Sequence, residues 1–223
     1  MSLVIFDCDG VLIDSEALCD RVVSADLTRQ GWHLSPADCH RRFLGLTFPD
    51  IQQAAEAHLQ RSLARDWVEQ LVRRVTAVMA SEADPILGAR EALEATTALG
   101  LPFRIASNSS RPEMAAKFAR TGLSELVEGR VHSAYDLIVR AKTGKPAPDL
   151  FLEAAAAEHV PPEACLVIED SLAGVRAAIA AGMICLGFSP DGDGAQLRGA
   201  GAIPFASMLA LPELLHGFLI GPK

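Results

Sequence analysis

Two aspartates, separated by one residue, follow a short apolar segment near the beginning of the sequence, in Asp7-Cys8-Asp9-Gly10. Residues i and i+2 of an extended chain lie on the same face, so both carboxylates can point to one place. Paired acids suit a nucleophile or metal ligand together with a group that carries a proton. The same four residues are also typical of a turn after a strand, and alone they do not separate the two interpretations.

Three further segments combine hydroxyl, amide, basic or acidic residues next to helical patterns. They are Ser107-Asn108-Ser109-Ser110, Gly144-Lys145-Pro146-Ala147-Pro148-Asp149 and Glu169-Asp170-Ser171. Donor groups ahead of a helix can bind an anion, and a lysine on a proline-restricted loop can bind phosphate or hold an acid ionised. Adjacent acids can bind a hard cation. Each segment alone is also compatible with helix capping or a solvated surface.

The elements that must position these residues alternate between short apolar segments and helical patterns. The predicted strands are Leu3–Phe6, Phe103–Ser107, Cys165–Ile168 and Ile184–Phe188, with weaker candidates at Arg130–Ser133 and Ala202–Phe205. Nearly continuous apolar strands are typical of a sheet covered on both faces. Their alternation with helices predicts an α/β fold with a three-layer parallel sheet core.

One connection in this pattern is far too long, because residues 7–102 separate the first two predicted strands, whereas a crossover needs only about 10–12 residues. Four helical patterns fill most of the interval: Ala17–Gln30, Ser35–Phe43, Pro49–Gln60 and Arg65–Met79. We therefore predict an inserted helical cap domain over residues 15–82 and a core domain formed by residues 1–14 and 83–223. The glycine-rich segment 192–201 is predicted to be a mobile connection.

The four polar segments are expected to meet, because ligands of parallel sheets bind at the carboxyl ends of the strands. Asp7, Asp9, Glu169 and Asp170 would then crowd negative charges that are costly to remove from water. A divalent cation and Lys145 would relieve that repulsion. A nucleophilic carboxylate, a metal, a lysine and neutral donors together predict transfer of a phosphoryl group.

The overall composition limits the classes of partner. The 223 residues include 20 Lys+Arg against 28 Asp+Glu, for a formal net charge of −8, and 5% are aromatic. Binding to nucleic acid or to an anionic membrane surface is not expected of such a chain. Five cysteines without a C-x-x-C pair favour reduced thiols, and no apolar segment approaches the ~20 residues of a membrane span. We expect a cytoplasmic protein, either a monomer or a weak homodimer.

In their order and spacing, the four segments resemble the motifs of the haloacid dehalogenase-like superfamily, in its branch with a helical cap after the first strand. The segment from Phe6 to Glu16 resembles the first motif, Ser107-Asn108 the second, Lys145 the third and Glu169-Asp170-Ser171 the fourth. The resemblance extends over nearly the whole chain. It implies a Rossmann-like core and a cap that determines specificity.

The resemblance also implies catalytic roles for the matching residues. Asp7 would attack phosphorus and become an aspartyl-phosphate. Asp9 would protonate the leaving alcohol and then activate the water that hydrolyses the intermediate. Ser107, Asn108 and Lys145 would bind the phosphoryl oxygens.

A magnesium site is the second implication of the resemblance. Mg²⁺ would be held by the Asp7 carboxylate, the backbone carbonyl of Asp9, Asp170 and Glu169, the last directly or through water. Lys142 lies close enough to the third motif to share or replace the role of Lys145, although the flanking glycine and prolines favour Lys145.

Several positions distinguish the activities of this superfamily. Dehalogenases lack the second aspartate, present here as Asp9, and phosphonate-cleaving relatives use a cap lysine, whereas residues 15–82 contain none. β-Phosphoglucomutases carry a histidine at the position of Cys19 and an arginine at that of Phe48. We therefore predict a phosphatase. The alternatives are a phosphoglucomutase-like phosphotransferase and a non-catalytic phosphate-binding protein.

The segment from Arg41 to Phe48 resembles the superfamily's substrate-facing cap loop. Gly45 would permit close approach, Thr47 would offer a hydroxyl, and Arg42 or its neighbour Arg41 would meet a carboxylate or second anion. The alternative is a helix end with solvated arginines. The predicted substrate is a small phosphomonoester of a sugar, sugar acid or polyol, enclosed by a cap that moves about hinges near residues 14–16 and 81–85.

Overall fold

A computed structural model describes residues 1–138 and 141–220 of the chain. In these ranges the strands are β1 (Leu3–Phe6), β2 (Ile13–Asp14), β3 (Asp84–Pro85), β4 (Phe103–Ser107), β5 (Val131–Ser133), β6 (Cys165–Glu169), β7 (Ile184–Phe188) and β8 (Ile203–Phe205). The α-helices are α1 (Glu16–Gln30), α2 (Pro36–Phe43), α3 (Phe48–Leu59), α4 (Trp67–Glu82), α5 (Ala89–Ala98), α6 (Arg111–Thr121), α7 (Ser124–Val127), α8 (Ala134–Ile138), α9 (Asp149–Ala157), α10 (Leu172–Ala180), α11 (Ala195–Gly199) and α12 (Leu211–Ile220). Residues 139, 140 and 221–223, which the sequence assigns to the core domain, lie outside the described ranges. Among the described helices, none has the length and apolar character to cross a membrane.

A six-stranded parallel sheet with the order β5-β4-β1-β6-β7-β8 forms the centre of the described structure. β1 lies between β4 and β6, with Val4 opposite Phe103 and Leu3 opposite Cys165. Helices cover both faces, which confirms the predicted α/β fold with a Rossmann-like, three-layer core. Each predicted strand agrees with the observed one to within a residue at either end.

The side chains of β1 alternate between two apolar cores, one on each face of the sheet. Val4 and Phe6 belong to one core, and Leu3 and Ile5 to the other. The ring of Phe6 meets that of Phe103 edge to face, with centroids 5.9 Å apart. Burying an apolar side chain of this size stabilises the fold by about 1.5–3 kcal/mol. Packing on both faces therefore holds the end of β1, where the two aspartates follow.

Helices α1–α4 form an insertion whose base is the antiparallel pair β2 and β3. Ile13 lies opposite Pro85, and Asp14 lies opposite Asp84. The two chain crossings therefore lie side by side, in the regions where the sequence predicts hinges. Trp67 is one of four residues of α4, spaced four apart, that are buried on one helix face. The division into a cap at 15–82 and a separate core stays a prediction.

The glycine-rich segment 192–201 is one place where the described fold departs from the sequence prediction. Helix α11 lies inside this segment. Leu197 is buried there against Gly187 of β7 and Ala202, and this packing stabilises a helix of only five residues. So short a helix leaves too little hydrophobic periodicity for its sequence pattern to be detected.

Candidate active site

The carboxyl ends of β1, β4 and β6 surround a cavity of about 100 Å³ between the sheet and the cap helices. The predicted motif residues all border it: Asp7, Asp9, Ser107, Asn108, Lys145, Glu169 and Asp170. The fold thus brings together segments that lie up to 163 residues apart in the chain, from position 7 to position 170.

Lys145 forms the charged centre of this cavity. Its Nζ donates to Asp7 Oδ1 at 2.5 Å and to Glu169 Oε1 at 2.6 Å, and the residue is only 3% exposed. Burial lowers the pKa of Lys145, but the two carboxylates outweigh it and raise the pKa above its ordinary value. Lys142 lies elsewhere, with its Nζ 3.8 Å from Glu153 Oε2 and its side chain 47% exposed. Of the two lysines, Lys145 is the one that supplies a fixed cation beside Asp7.

Asp7 carries a proton more readily than an ordinary aspartate. Burial raises its pKa to about 8, and the charges of Glu169 and Asp9 act in the same direction, while Lys145 opposes them. The environment therefore favours a second positive charge close to the Asp7 carboxylate.

Glu169 is fully buried, and both of its carboxylate oxygens are engaged. Oε2 accepts from the backbone N–H groups of Asp170 and Ser171, at 3.0 and 2.9 Å, and from the Ser171 hydroxyl at 3.0 Å. Oε1 accepts from Lys145. A Cβ on Gly174 would lie 1.7 Å from Oε1, so a glycine is required for this approach. Glu169 thus holds both Lys145 and the turn into α10.

Asp9 is held by four side-chain donors. Lys117 Nζ donates to Oδ1 at 2.5 Å, and the hydroxyls of Ser109 and Ser107 donate to Oδ2 at 2.8 and 3.1 Å. The hydroxyl of Ser15 also donates to Oδ1. Burial opposes ionisation of Asp9, but the charge of Lys117 and these hydrogen bonds outweigh it and lower its pKa to about 2. Asp9 is therefore a carboxylate at neutral pH in this arrangement.

The sequence reasoning missed Lys117, Ser15 and Ser109 as partners of Asp9. Lys117 lies on α6 and is 1% exposed. The available signal was the pattern of α6, in which Glu113 and Lys117 occur on the same face as the apolar Met114 and Phe118. Two charged residues on a buried helix face require partners, and here one of them is the site aspartate.

Asp7, Glu169 and Asp170 form a cluster whose carboxylate oxygens lie within 4.8 Å of one another. Burial raises the pKa of Asp170 well above its ordinary value, and Glu169, Glu16 and Asp7 raise it further. Glu16, which the sequence reasoning also left without a role, is hydrogen-bonded to Asp170. An all-oxygen set of crowded carboxylates fits a hard divalent cation such as Mg²⁺.

The cap loop is in direct contact with the core. Asn108 Nδ2 donates to the backbone oxygen of Gly45 at 2.7 Å and to that of Lys145 at 3.0 Å, and its Oδ1 accepts from the Lys145 N–H at 2.9 Å. Gly45 has a φ of +78°, and a Cβ there would lie 3.1 Å from the Ala173 side chain. Glycine therefore permits the close approach that closes the cavity.

Two predicted cap residues do not reach the cavity. The Arg42 guanidinium is exposed and lies 6.0 Å from the centre of the Trp32 ring. The Thr47 hydroxyl accepts from the Asp50 N–H at 3.3 Å and caps α3. The end of α2 directs its arginines outward, as in the solvated-arginine alternative, and Thr47 caps α3. A role of Arg42 and Thr47 in substrate binding stays a prediction.

Comparison with known proteins agrees with this geometry. The family model described as haloacid dehalogenase-like hydrolase matches residues 1–182. The chain belongs to this family. It is 31% identical over 212 residues to the 6-phosphogluconate phosphatase of Escherichia coli (strain K12), covering 95% of this chain and 93% of that protein.

This haloacid dehalogenase-like hydrolase is also similar to a solved hydrolase structure and to a mutase. A hydrolase of the same family from Deinococcus radiodurans R1, solved with bound phosphate and sodium, has 33% identity and a TM-score of 0.73, covering 100% of this chain and 99% of that one. A β-phosphoglucomutase of Mycobacterium bovis is 40% identical over 132 residues, which span 57% of this chain and 48% of that protein.

Two cap positions of this haloacid dehalogenase-like hydrolase border the cavity without offering a charge. Cys19 of α1 and Phe48 of α3 both line its wall. Burial and neighbouring acids raise the pKa of the Cys19 thiol, so it remains neutral. The cap wall at these two positions is therefore uncharged.

Proposed function

We propose that this hydrolase is a Mg²⁺-dependent phosphatase that hydrolyses a small phosphomonoester through an aspartyl-phosphate on Asp7. The observation that carries the proposal is the arrangement around Asp7, whose carboxylate meets a buried lysine and two further acids at the carboxyl edge of the sheet. The similarity to a 6-phosphogluconate phosphatase over nearly the full chain supports hydrolysis of a phosphomonoester.

Asp7 is the proposed nucleophile. Its carboxylate oxygen would attack phosphorus, forming a bond from phosphorus to Asp7 as the bond to the leaving alcohol breaks. Water would then attack phosphorus, releasing inorganic phosphate and restoring the Asp7 carboxylate. Lys145 remains charged throughout and would stabilise negative charge on the phosphoryl oxygens.

Asp9 is the proposed proton carrier, two residues after the nucleophile. As a carboxylate it is ready to accept a proton from the attacking water. A phosphoryl group that recruits the Ser107 hydroxyl would weaken a hydrogen bond to ionised Asp9. Losing such a bond raises the pKa of a carboxyl group and favours its second role, which is to protonate the leaving alcohol.

Mg²⁺ would be held by the carboxylates of Asp7 and Asp170 and, as the resemblance to the family implies, by the backbone carbonyl of Asp9. Glu169 would act through water, because hydrogen bonds already engage both of its oxygens. When bound, the cation would neutralise charge on the transferred phosphoryl group.

The phosphoglucomutase-like alternative is supported by sequence and structural similarity to proteins described as β-phosphoglucomutases. The positions at which mutases of the family carry a histidine and an arginine are Cys19 and Phe48 here. Without those groups, water is expected to take the phosphoryl group from Asp7 more readily than a second sugar hydroxyl.

Removal of divalent metal provides the direct test of the proposal. Hydrolysis of p-nitrophenyl phosphate is expected with MgCl₂ and should fall to background with EDTA, because the clustered carboxylates then lack the cation that offsets their charge. Release of p-nitrophenolate is followed by absorbance, and restoration by excess MgCl₂ is the control. Equal rates with Mg²⁺ and with EDTA would contradict the proposal.

Stabilisation by Mg²⁺ is expected to depend on pH. Without metal, the folded protein keeps a proton on Asp7 up to a pKa of about 8, whereas the unfolded chain releases it near pH 4. The contribution of Asp7 to the free energy of unfolding thus falls as pH rises between these values. Mg²⁺ must displace that proton, so its affinity should rise by up to about tenfold per pH unit below the pKa of Asp7.

The increase in melting temperature caused by MgCl₂ should therefore be larger at pH 8 than at pH 6. It can be measured by differential scanning fluorimetry, with NaCl at equal ionic strength as the control for screening. In Asp7→Asn this pH dependence should weaken. A larger increase at pH 6 than at pH 8 in the wild type would show that Mg²⁺ does not replace a proton at this cluster.

A further inference from the structure

The charges that border the cavity are strongly unbalanced. Among the described residues, its lining includes seven carboxyl groups and two ammonium groups, those of Lys117 and Lys145. Both ammonium groups are already bound, Lys117 to Asp9 and Lys145 to Asp7 and Glu169. Even a divalent cation would leave acidic groups in formal excess, so the cavity has no spare cation for a second anionic group of a substrate.

The side of the cavity opposite Asp7, where the leaving group must lie, is formed by the cap. Its lining side chains are mainly apolar: Val23, Phe43, Leu44, Leu46, Phe48 and Ile51. The charged groups that the cap adds are the carboxyls of Glu16 and Asp20. Burial raises the pKa of the Asp20 carboxyl, so the environment on this side of the cavity already opposes negative charge.

Among the basic residues of α2, His40 partly offsets the charge of these two acids when it is protonated, but no basic group of α2 borders the cavity. His40 Nδ1 lies 2.9 Å from Asp20 Oδ2, and its ring does not border the cavity. Arg41 pairs with Asp38, and Arg42 lies over Trp32. A carboxylate on the leaving group would thus face mainly apolar carbon and two acids, without a free cation, whereas a hydroxyl could donate a hydrogen bond to Asp20.

We infer that this site selects small phosphomonoesters whose leaving group is uncharged, a polyol or a neutral sugar, and discriminates against phosphorylated sugar acids. The inference rests on the proposed phosphatase function and narrows its substrate class. The size of the cavity agrees with a small substrate, because about 100 Å³ corresponds to roughly three water molecules at the volume each occupies in the liquid.

Matched pairs of substrates test the inference, because each pair differs only in a terminal CH₂OH or carboxylate. The pairs are glucitol 6-phosphate with 6-phosphogluconate, and glycerol 3-phosphate with 3-phosphoglycerate. Phosphate release should give a kcat/KM at least about 100-fold higher for the neutral member of the better-used pair, as expected when a polar group is left without a partner. Equal or faster turnover of the acid would overturn the inference.

The substitution Asp20→Asn tests whether charge in the cap causes the discrimination between neutral and acidic substrates. Asp20→Asn keeps the shape of the side chain and should lower the neutral-to-acid ratio of kcat/KM by about tenfold or more, as expected for removing one nearby like charge. Glu69→Gln removes a carboxylate from the exposed face of α4 and should leave the ratio unchanged. An unchanged ratio in a folded Asp20→Asn would contradict the role of cap charge, and if that variant does not fold, the wild-type ratio decides.

Hydrolysis of p-nitrophenyl phosphate by the same preparation distinguishes failure of the substrate inference from failure of the phosphatase proposal. If it is hydrolysed and the acidic substrates are preferred, only the substrate inference fails. If neither p-nitrophenyl phosphate nor any member of the pairs is hydrolysed, the phosphatase proposal fails, and the inference fails with it.

Discussion

Replacement of Asp7 by asparagine is expected to reduce kcat for p-nitrophenyl phosphate by at least about 10⁴-fold, the scale on which loss of a nucleophile acts in enzymes with covalent intermediates. The amide cannot attack phosphorus to form the aspartyl-phosphate. Because burial already favours the neutral form of Asp7, the uncharged amide should be tolerated and the fold retained. Initial rates with saturating MgCl₂ measure the effect, and circular dichroism checks the fold.

Asp191→Asn is the matched control for this substitution. Asp191 is exposed in the loop after β7 and does not border the cavity. The same chemical change there should leave kcat within about twofold of wild type, as for surface positions remote from a site. A folded Asp7→Asn enzyme that kept a comparable rate would show that another group attacks phosphorus.

Replacement of Lys145 by methionine is expected to lower both stability and activity. It removes the cation that two buried carboxylates share, those of Asp7 and Glu169. Breaking a buried ion pair by removing one partner costs about 3–5 kcal/mol of the free energy of unfolding. Loss of a fixed positive charge at the phosphoryl oxygens should also reduce kcat by about 10²–10³-fold. Urea unfolding and p-nitrophenyl phosphate hydrolysis measure the two effects.

Lys142→Met is the control, because this lysine lies three residues away and is half exposed. Its ion pair with Glu153, at 3.8 Å, is expected to contribute less than about 1 kcal/mol. Activity should remain close to wild type. The reverse result, with Lys142→Met more damaging to kcat than Lys145→Met, would assign the lysine of the third motif to position 142.

The elements of the fold were predictable because their signals are local. The central strands of the sheet are nearly continuous apolar segments, as burial on both faces requires, and the start of α6 has a local signal in the capping box of Ser110 and Glu113. Residues at strand ends follow from the same pattern, since the carboxyl ends of parallel strands share an edge. For this reason the four motif segments could be placed around one site before their distances were known.

The contacts that surround these residues could not be predicted in the same way. Lys117 meets Asp9 across 108 positions of the chain, and only the packing of α6 against the sheet brings them together. The direction of a cap side chain likewise depends on how α2 and α3 lie over the core. For this reason Arg42 and Thr47, which the loop sequence predicted as substrate-binding residues, do not border the cavity, whereas Phe48 and Asp20 do.

The sequence by itself determined the parallel sheet, the helical insertion after its first strand and the acidic, lysine and hydroxyl groups of one candidate site. Each depends on periodicity or on spacing along a few residues. Only the tertiary structure decided which charges are already paired and what faces the leaving group. Those properties depend on burial and on distances between remote segments. From them we expect this phosphoryl-transfer site to prefer substrates with an uncharged leaving group.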